Sequence, residues 1–325
     1  MITKKLFTAL LSLTTVAALF SGCGGKKSTP QTYGLAKNEN KYLGNIISNE
    51  IPTDFTQYWN QITLENHSKW GHVEARRGTM VWDFVDEVYQ YAISHNLSIV
   101  QHSLVWGGQQ PNWINNLNEA EQRAEVEEFM QAYCERYPRT HLINVVNEPI
   151  NFQASYKNAL GGDGQTGWDW VIWSFEKARQ HCPLQGLILS EYFILTDANL
   201  RSQYLEIANL LISRGLIDGI GVHASSLNRQ NISAQEMQSV LNELAESGLP
   251  IYITQMYIQN TDLDLQRAKY EELFPVIWEH PAVKGVTLWG YENGKTFEQS
   301  DLLGENNAPN PALQWMQNYF DARRQ

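Results

Sequence analysis

Short apolar runs rich in β-branched residues alternate with longer segments of mixed character along most of this chain, and the two patterns predict two kinds of element. Runs at 42–47, 61–64, 98–104, 142–147, 186–190, 218–222, 251–254 and 285–289 have the length and side-chain types of buried strands. Segments 81–95, 120–137, 168–181, 199–214, 234–247 and 264–279 repeat apolar residues at three- and four-residue spacing, which gathers them on one helix face. Strands alternating with helices over roughly 280 residues predict an α/β fold, a parallel sheet closed into a (β/α)8 TIM barrel.

The N-terminus breaks this alternation. Lys4 and Lys5 precede an apolar run from Leu6 to Phe20, followed by Ser21-Gly22-Cys23. The run is shorter than the about 20 residues that cross a bilayer. Small residues directly before a cysteine resemble a bacterial lipoprotein signal. The expected organisation is therefore a signal peptide at 1–22, a flexible tether at 23–40 with Cys23 lipidated, and a barrel at 41–325. The corresponding address is the bacterial cell envelope, with contact to the membrane through the lipid alone. Cys134 and Cys182 remain; they either pair in an oxidising compartment or stand as two isolated thiols.

Composition narrows the partners. The 325 residues are 43% hydrophobic and 18% charged, ample for one large core, and the formal net charge is −11. With no long basic run, nucleic acid is not an expected partner. No metal-ligand spacing occurs among the histidines and cysteines, and no cofactor motif is present. The glycine-rich stretch 161–167 lacks the Gly-Lys-Ser/Thr ending of a phosphate loop. A monomer with a neutral ligand is expected, and 11 Trp with 15 Tyr supply faces on which sugar rings stack, although most aromatics belong to the core.

In such barrels the chemistry gathers at the C-terminal strand ends. Those ends carry Glu65, Asn66, Lys69 and Trp70, then His102, Trp106 and Gln109, then Asn147 and Glu148, then Glu191 and Tyr192, His223, Gln255, and finally Trp289 with Glu292. Any one of them would serve as a loop-bracing residue. Together they form a ring of amides, carboxylates, imidazoles and indoles, the set that recognises a carbohydrate.

The segments that carry these residues, Thr63-Leu64-Glu65-Asn66-His67-Ser68-Lys69-Trp70, His102 to Trp113, Asn144-Val145-Val146-Asn147-Glu148, Ile253-Thr254-Gln255 and Thr287-Leu288-Trp289-Gly290, resemble in order and spacing the signatures of glycoside hydrolase family 10. The resemblance runs from about Lys41 to the C-terminus. It implies endo-β-1,4-xylanase-type chemistry on xylan or a related β-linked polysaccharide, by retention, with two glutamates about 5 to 5.5 Å apart. It puts the acid/base on Glu148 and sugar contacts on Glu65, Asn66, Lys69, His102, Trp106, Gln109, Asn147, His223 and Trp289.

It also puts Gln255 where the family has its nucleophile. A carboxamide is a poor nucleophile and carries no charge to stabilise an oxocarbenium ion. Other departures accompany it: Gly107 replaces the histidine of a Trp-His pair, His223-Ala224-Ser225 replaces Gln-x-His, Tyr257 replaces an aspartate, and Phe297 replaces a late tryptophan. Three readings follow: a glycan-holding pseudoenzyme, a hydrolase of altered mechanism or different polysaccharide substrate, and a non-catalytic scaffold. In the second, Glu191 or Glu292 would assist water at the 6.5 to 9.5 Å separation that inversion requires. A mouth plugged at Trp106 and Trp289 would favour the third.

Overall fold

The computed structural model describes residues 33–296 and 299–324. The expected signal peptide, Cys23 and the first part of the tether lie outside the described residues, as does Phe297. Eight parallel strands, β1 (Tyr42–Ile47), β2 (Gln61–Leu64), β3 (Ser98–Val105), β4 (Leu142–Asn147), β5 (Gly186–Glu191), β6 (Gly219–Ala224), β7 (Ile251–Met256) and β8 (Val283–Leu288), close in sequential order, with β1 paired to β8. Each predicted strand is present within two residues of its expected bounds.

Among the described residues, seven long helices wrap the sheet: α1 (Asp83–Ser94), α2 (Glu119–Arg136), α3 (Asp169–His181), α4 (Ala198–Ile212), α5 (Ala234–Ala245), α6 (Leu263–Glu279) and α7 (Pro311–Ala322). Their starts are set by local chemistry. Asn118 with Glu121, and Ser233 with Glu236, form reciprocal capping boxes that satisfy free backbone N–H groups at the starts of α2 and α5. Asn310 caps α7, whose Pro311 fills a position where no donor is needed. α7 was not among the predicted helices. It packs its Phe320 edge-on against Trp278 of α6, with ring centroids 5.0 Å apart.

The first repeat is abbreviated: between β1 and β2 stands only the one-turn helix Phe55–Tyr58. The apolar surface that a full helix would cover is met by residues from the expected tether. Leu35 and Ala36 are buried in the main core, and the backbone N–H groups of Gly34 and Leu35 donate to Thr56 and Tyr58 at 3.0 and 2.9 Å. Packing thus reaches further toward the N-terminus than the expected start at Lys41.

Inside the barrel, side chains stack in layers. Tyr42, Val100, Leu142 and Ile188, with Tyr252, plug one end. Room for the rings comes from glycine: a Cβ on Gly219 would lie 2.7 Å from the Tyr252 ring. Above them Gln61 donates to Thr63 and accepts from Thr287, each at 2.8 Å, so this polar layer is satisfied internally. A disulfide joins Cys134 of α2 to Cys182, just after α3, deciding between the two alternatives left by the sequence. Closing a loop with a sequence separation of 48 residues restricts the unfolded chain by roughly 4 kcal/mol in the chain-entropy model.

Candidate active site

The strand ends that carry the predicted residues open on one mouth, and Glu148 stands at its centre. Its φ of +54° turns the chain sharply out of β4, a conformation sparsely populated by residues with a side chain. The turn is held by Glu148 N–H donating to Ser190 at 2.8 Å and Phe152 N–H donating back to Glu148 at 2.9 Å. One carboxyl oxygen accepts from Trp106 Nε1 at 2.8 Å, and the other lies 3.5 Å from His223 Nδ1. Burial pushes the carboxyl up to about 7; the Glu191 charge adds to this, while the Trp106 hydrogen bond and Lys69 oppose it. A carboxyl with this midpoint is poised to give a proton near neutrality.

Around Glu148 the β2 and β3 ends form a braced set. Asn66 Oδ1 accepts from Lys69 Nζ and from Gln109 Nε2, both at 3.1 Å. Lys69 also lies over the Trp106 ring, 4.8 Å from its centroid, and burial brings its ammonium down to about 8 against the raising influence of Glu65 and Glu148. Glu65 accepts from Ser48 Oγ at 2.5 Å. His102 is buried and held neutral, meeting Trp289 edge-to-face at 5.1 Å. Asn144 donates to the buried Asn147 Oδ1 at 2.8 Å, and the Asn147 side chain opposes the rise of the Glu148 carboxyl through a hydrogen bond. Trp289, only 6% exposed and packed with Ile46 and Tyr257, is a floor, while Trp106 remains partly exposed. The mouth is therefore not plugged by Trp106.

The β6 and β7 ends differ. His223 pairs in register with Gln255, and Ser225 Oγ donates to Gln255 Oε1 at 3.1 Å. Ser226 donates to the Tyr257 hydroxyl at 3.0 Å. No carboxylate of β7 itself reaches the mouth. At the neighbouring departure, Gly107, a Cβ would lie 2.6 Å from the Phe152 carbonyl oxygen and closer still to that of Gln153. The loop after β4 thus occupies the space that a larger residue needs, a contact that only the fold reveals.

The two alternative carboxylates differ in their surroundings. Glu191 is fully buried; it accepts from Ile150 N at 2.9 Å, from Asn151 Nδ2 at 3.0 Å and from Tyr192 N at 2.8 Å. It is a brace for the loop after β4. Glu292 accepts from Lys295 at 2.9 Å on the rim of a cavity of about 250 Å3 that also touches Glu65. A larger recess of about 520 Å3 lies on the outer wall between α4 and α5 and holds none of these groups. Among the described residues, no group of three or more His, Cys, Asp or Glu is arranged to hold a metal ion.

Sequence reading missed Ser48 as the partner of Glu65, because a single serine in a loop carries no distinguishing pattern; Ser225 stood out only as a departure from Gln-x-His, and its pairing with Gln255 was missed. Phe152, 49% exposed and edge-on to Trp106 at 5.8 Å, was also missed; an exposed aromatic four residues after Glu148 is the signal that would have found it.

Comparison with known proteins agrees with this architecture. The model of glycosyl hydrolase family 10 matches residues 26–319. Endo-1,4-beta-xylanase B of Cellvibrio japonicus is 40% identical over 285 residues, covering 86% of this chain and 46% of that protein. Anti-sigma-I factor RsgI6 of Acetivibrio thermocellus is 25% identical over 241 residues, covering 72% of this chain and 30% of that protein. The chain thus spans less than half the length of these relatives. Xylanase 10B from Thermotoga petrophila, solved in complex with xylobiose, superposes with a TM-score of 0.76 at 22% identity, over 90% of this chain and 97% of that one. With the barrel, the strand-end residues and the matched length together, the chain belongs to glycosyl hydrolase family 10.

Proposed function

We propose that the mouth binds a xylan-type β-1,4-linked chain, that Glu148 is its proton donor, and that Gln255 stands at the family's nucleophile position, so that glycan is held far more readily than it is cut. The observation that carries this reading is the Ser225–Gln255 pair: the amide oxygen is already engaged by a hydroxyl donor at 3.1 Å. It is uncharged and forms no glycosyl ester. The braced Glu65, Asn66, Lys69, Trp106 and Gln109 supply the flat and polar surfaces that a sugar chain requires.

A lipid on Cys23 and an envelope address belong to the same proposal. The Cys134–Cys182 disulfide supports it, since such bonds persist in oxidising compartments. The likeness to a chain named for an anti-sigma factor accords with a barrel whose role need not be hydrolysis. Slow hydrolysis is the second reading, favoured by the raised Glu148 carboxyl and by 40% identity to a chain named a xylanase.

Calorimetry with xylohexaose, beside product release over long incubation, tests both. Binding is expected in the wild type, weakened about tenfold or more in Trp106→Ala through loss of a stacking face, with no product that depends on Glu148. Turnover by the wild type that Glu148→Ala abolishes would overturn the holding role.

A further inference from the structure

His223 is polar, 1% exposed, and without a hydrogen-bond partner at either ring nitrogen. Its Nδ1 lies 3.5 Å from Glu148 Oε1, while Oε2 is already taken by Trp106. The charged and titratable groups around the pair come from several elements. Lys69 after β2 and His102 on β3 face the imidazole; Glu191 and Tyr192 of the β5 end stand near Glu148. Gln255, the register neighbour on β7, is neutral. Burial first, then the Lys69 cation, keep the ring uncharged.

A neutral imidazole has one N–H and one lone pair, and either can stand at Nδ1. Leaving such a group buried and unpaired is costly, so a use for it is sought in the carboxyl 3.5 Å from its Nδ1. We propose that His223 is a positioning residue for Glu148 whose tautomer follows the charge of the carboxyl. With Glu148 ionised, Nδ1–H donates to Oε1. With Glu148 protonated, Oε1–H donates to Nδ1 and the ring carries its proton on Nε2. The pair gains one proton between the two states: Oε1 becomes protonated while the single ring N–H moves from Nδ1 to Nε2. Oε1 therefore faces His223 in both states while Oε2 is fixed by Trp106, and the carboxyl keeps one orientation until a ligand oxygen competes with Nδ1 for the Oε1 proton.

This inference rests on Glu148 as the proton donor of the proposed function, but its signature needs no glycan. Nitrogen-15 NMR of the full chain with labelled histidine, His223 being assigned from a His223→Gln variant, reads the tautomer directly between about pH 5 and pH 9. The expected result is an exchange of pyrrole-type and pyridine-type shifts between Nδ1 and Nε2, without imidazolium, at one midpoint near 7. In Glu148→Gln the exchange disappears. A single tautomer throughout, or a transition that survives in Glu148→Gln, would overturn the proposal. Xylohexaose added to the same samples tests binding separately: an intact switch with no binding refutes only the functional reading.

Discussion

On the β2–β4 side of the mouth, Asn66 braces both Lys69 and Gln109, Lys69 covers Trp106, and Trp106 holds Glu148. On the β6–β7 side, the corresponding positions hold a serine paired with an amide and a second serine paired with a phenol. The first side retains charged groups at a cost in desolvation, visible in the lowered Lys69 and raised Glu148. The second is held by neutral hydrogen bonds. The contrast is the basis of the proposed holding role: buried charge stands on one side of the mouth and neutral hydrogen-bonded groups on the other.

The sharpest way to break this contrast is Gln255→Glu. Ser225 is in place to donate to the new carboxylate, and Glu148-dependent product release from xylohexaose is expected to appear at a rate on the order of a hundredfold above the wild-type background. An unchanged rate would show that the β6–β7 side differs in more than its charge.

A smaller effect is expected from Glu148→Gln, read as unfolding free energy against pH. A carboxyl raised from 4.5 to about 7 binds its proton more tightly folded than unfolded. Its destabilisation is absent below the unfolded value, grows as pH rises, and is complete above the folded value. The neutral amide should therefore stabilise the fold by up to about 3 kcal/mol at pH 8 and leave it unchanged near pH 4. Equal stability of the two proteins at both pH values would contradict the burial assigned to Glu148.

Most of the barrel was legible in the sequence, since buried strands leave short β-branched runs and amphipathic helices leave periodic ones. The abbreviated first repeat was not, because Leu35 and Ala36 acquire their partners only when Phe55–Tyr58 fails to grow into a long helix. Strand-end residues were found through their chemistry; their hydrogen-bond partners were not, because Ser48 and Ser225 come from neighbouring strands. Glu191 illustrates the limit: as a strand-end carboxylate it resembles a reagent, and burial with three backbone and side-chain donors makes it a brace.

The smallest expected effect concerns Gly107. Adding one methyl in Gly107→Ala presses on two backbone oxygens of the loop after β4, which have little freedom to retreat. A loss of about 1 to 2 kcal/mol in unfolding free energy is expected from such overpacking, measured by denaturant titration. A neutral outcome would mean that the loop yields, and that a histidine at this position is sterically open after all.

The disulfide has a topological consequence. Cys134 and Cys182 enclose β4, Glu148 and the exposed glycine-rich loop 161–167 in one covalent ring. A protease that severs the backbone within that ring opens the ring without dividing the molecule. Both fragments stay tethered beside each other until the sulfur bond is reduced, so a nicked protein can keep Glu148 in place while its chain is no longer continuous.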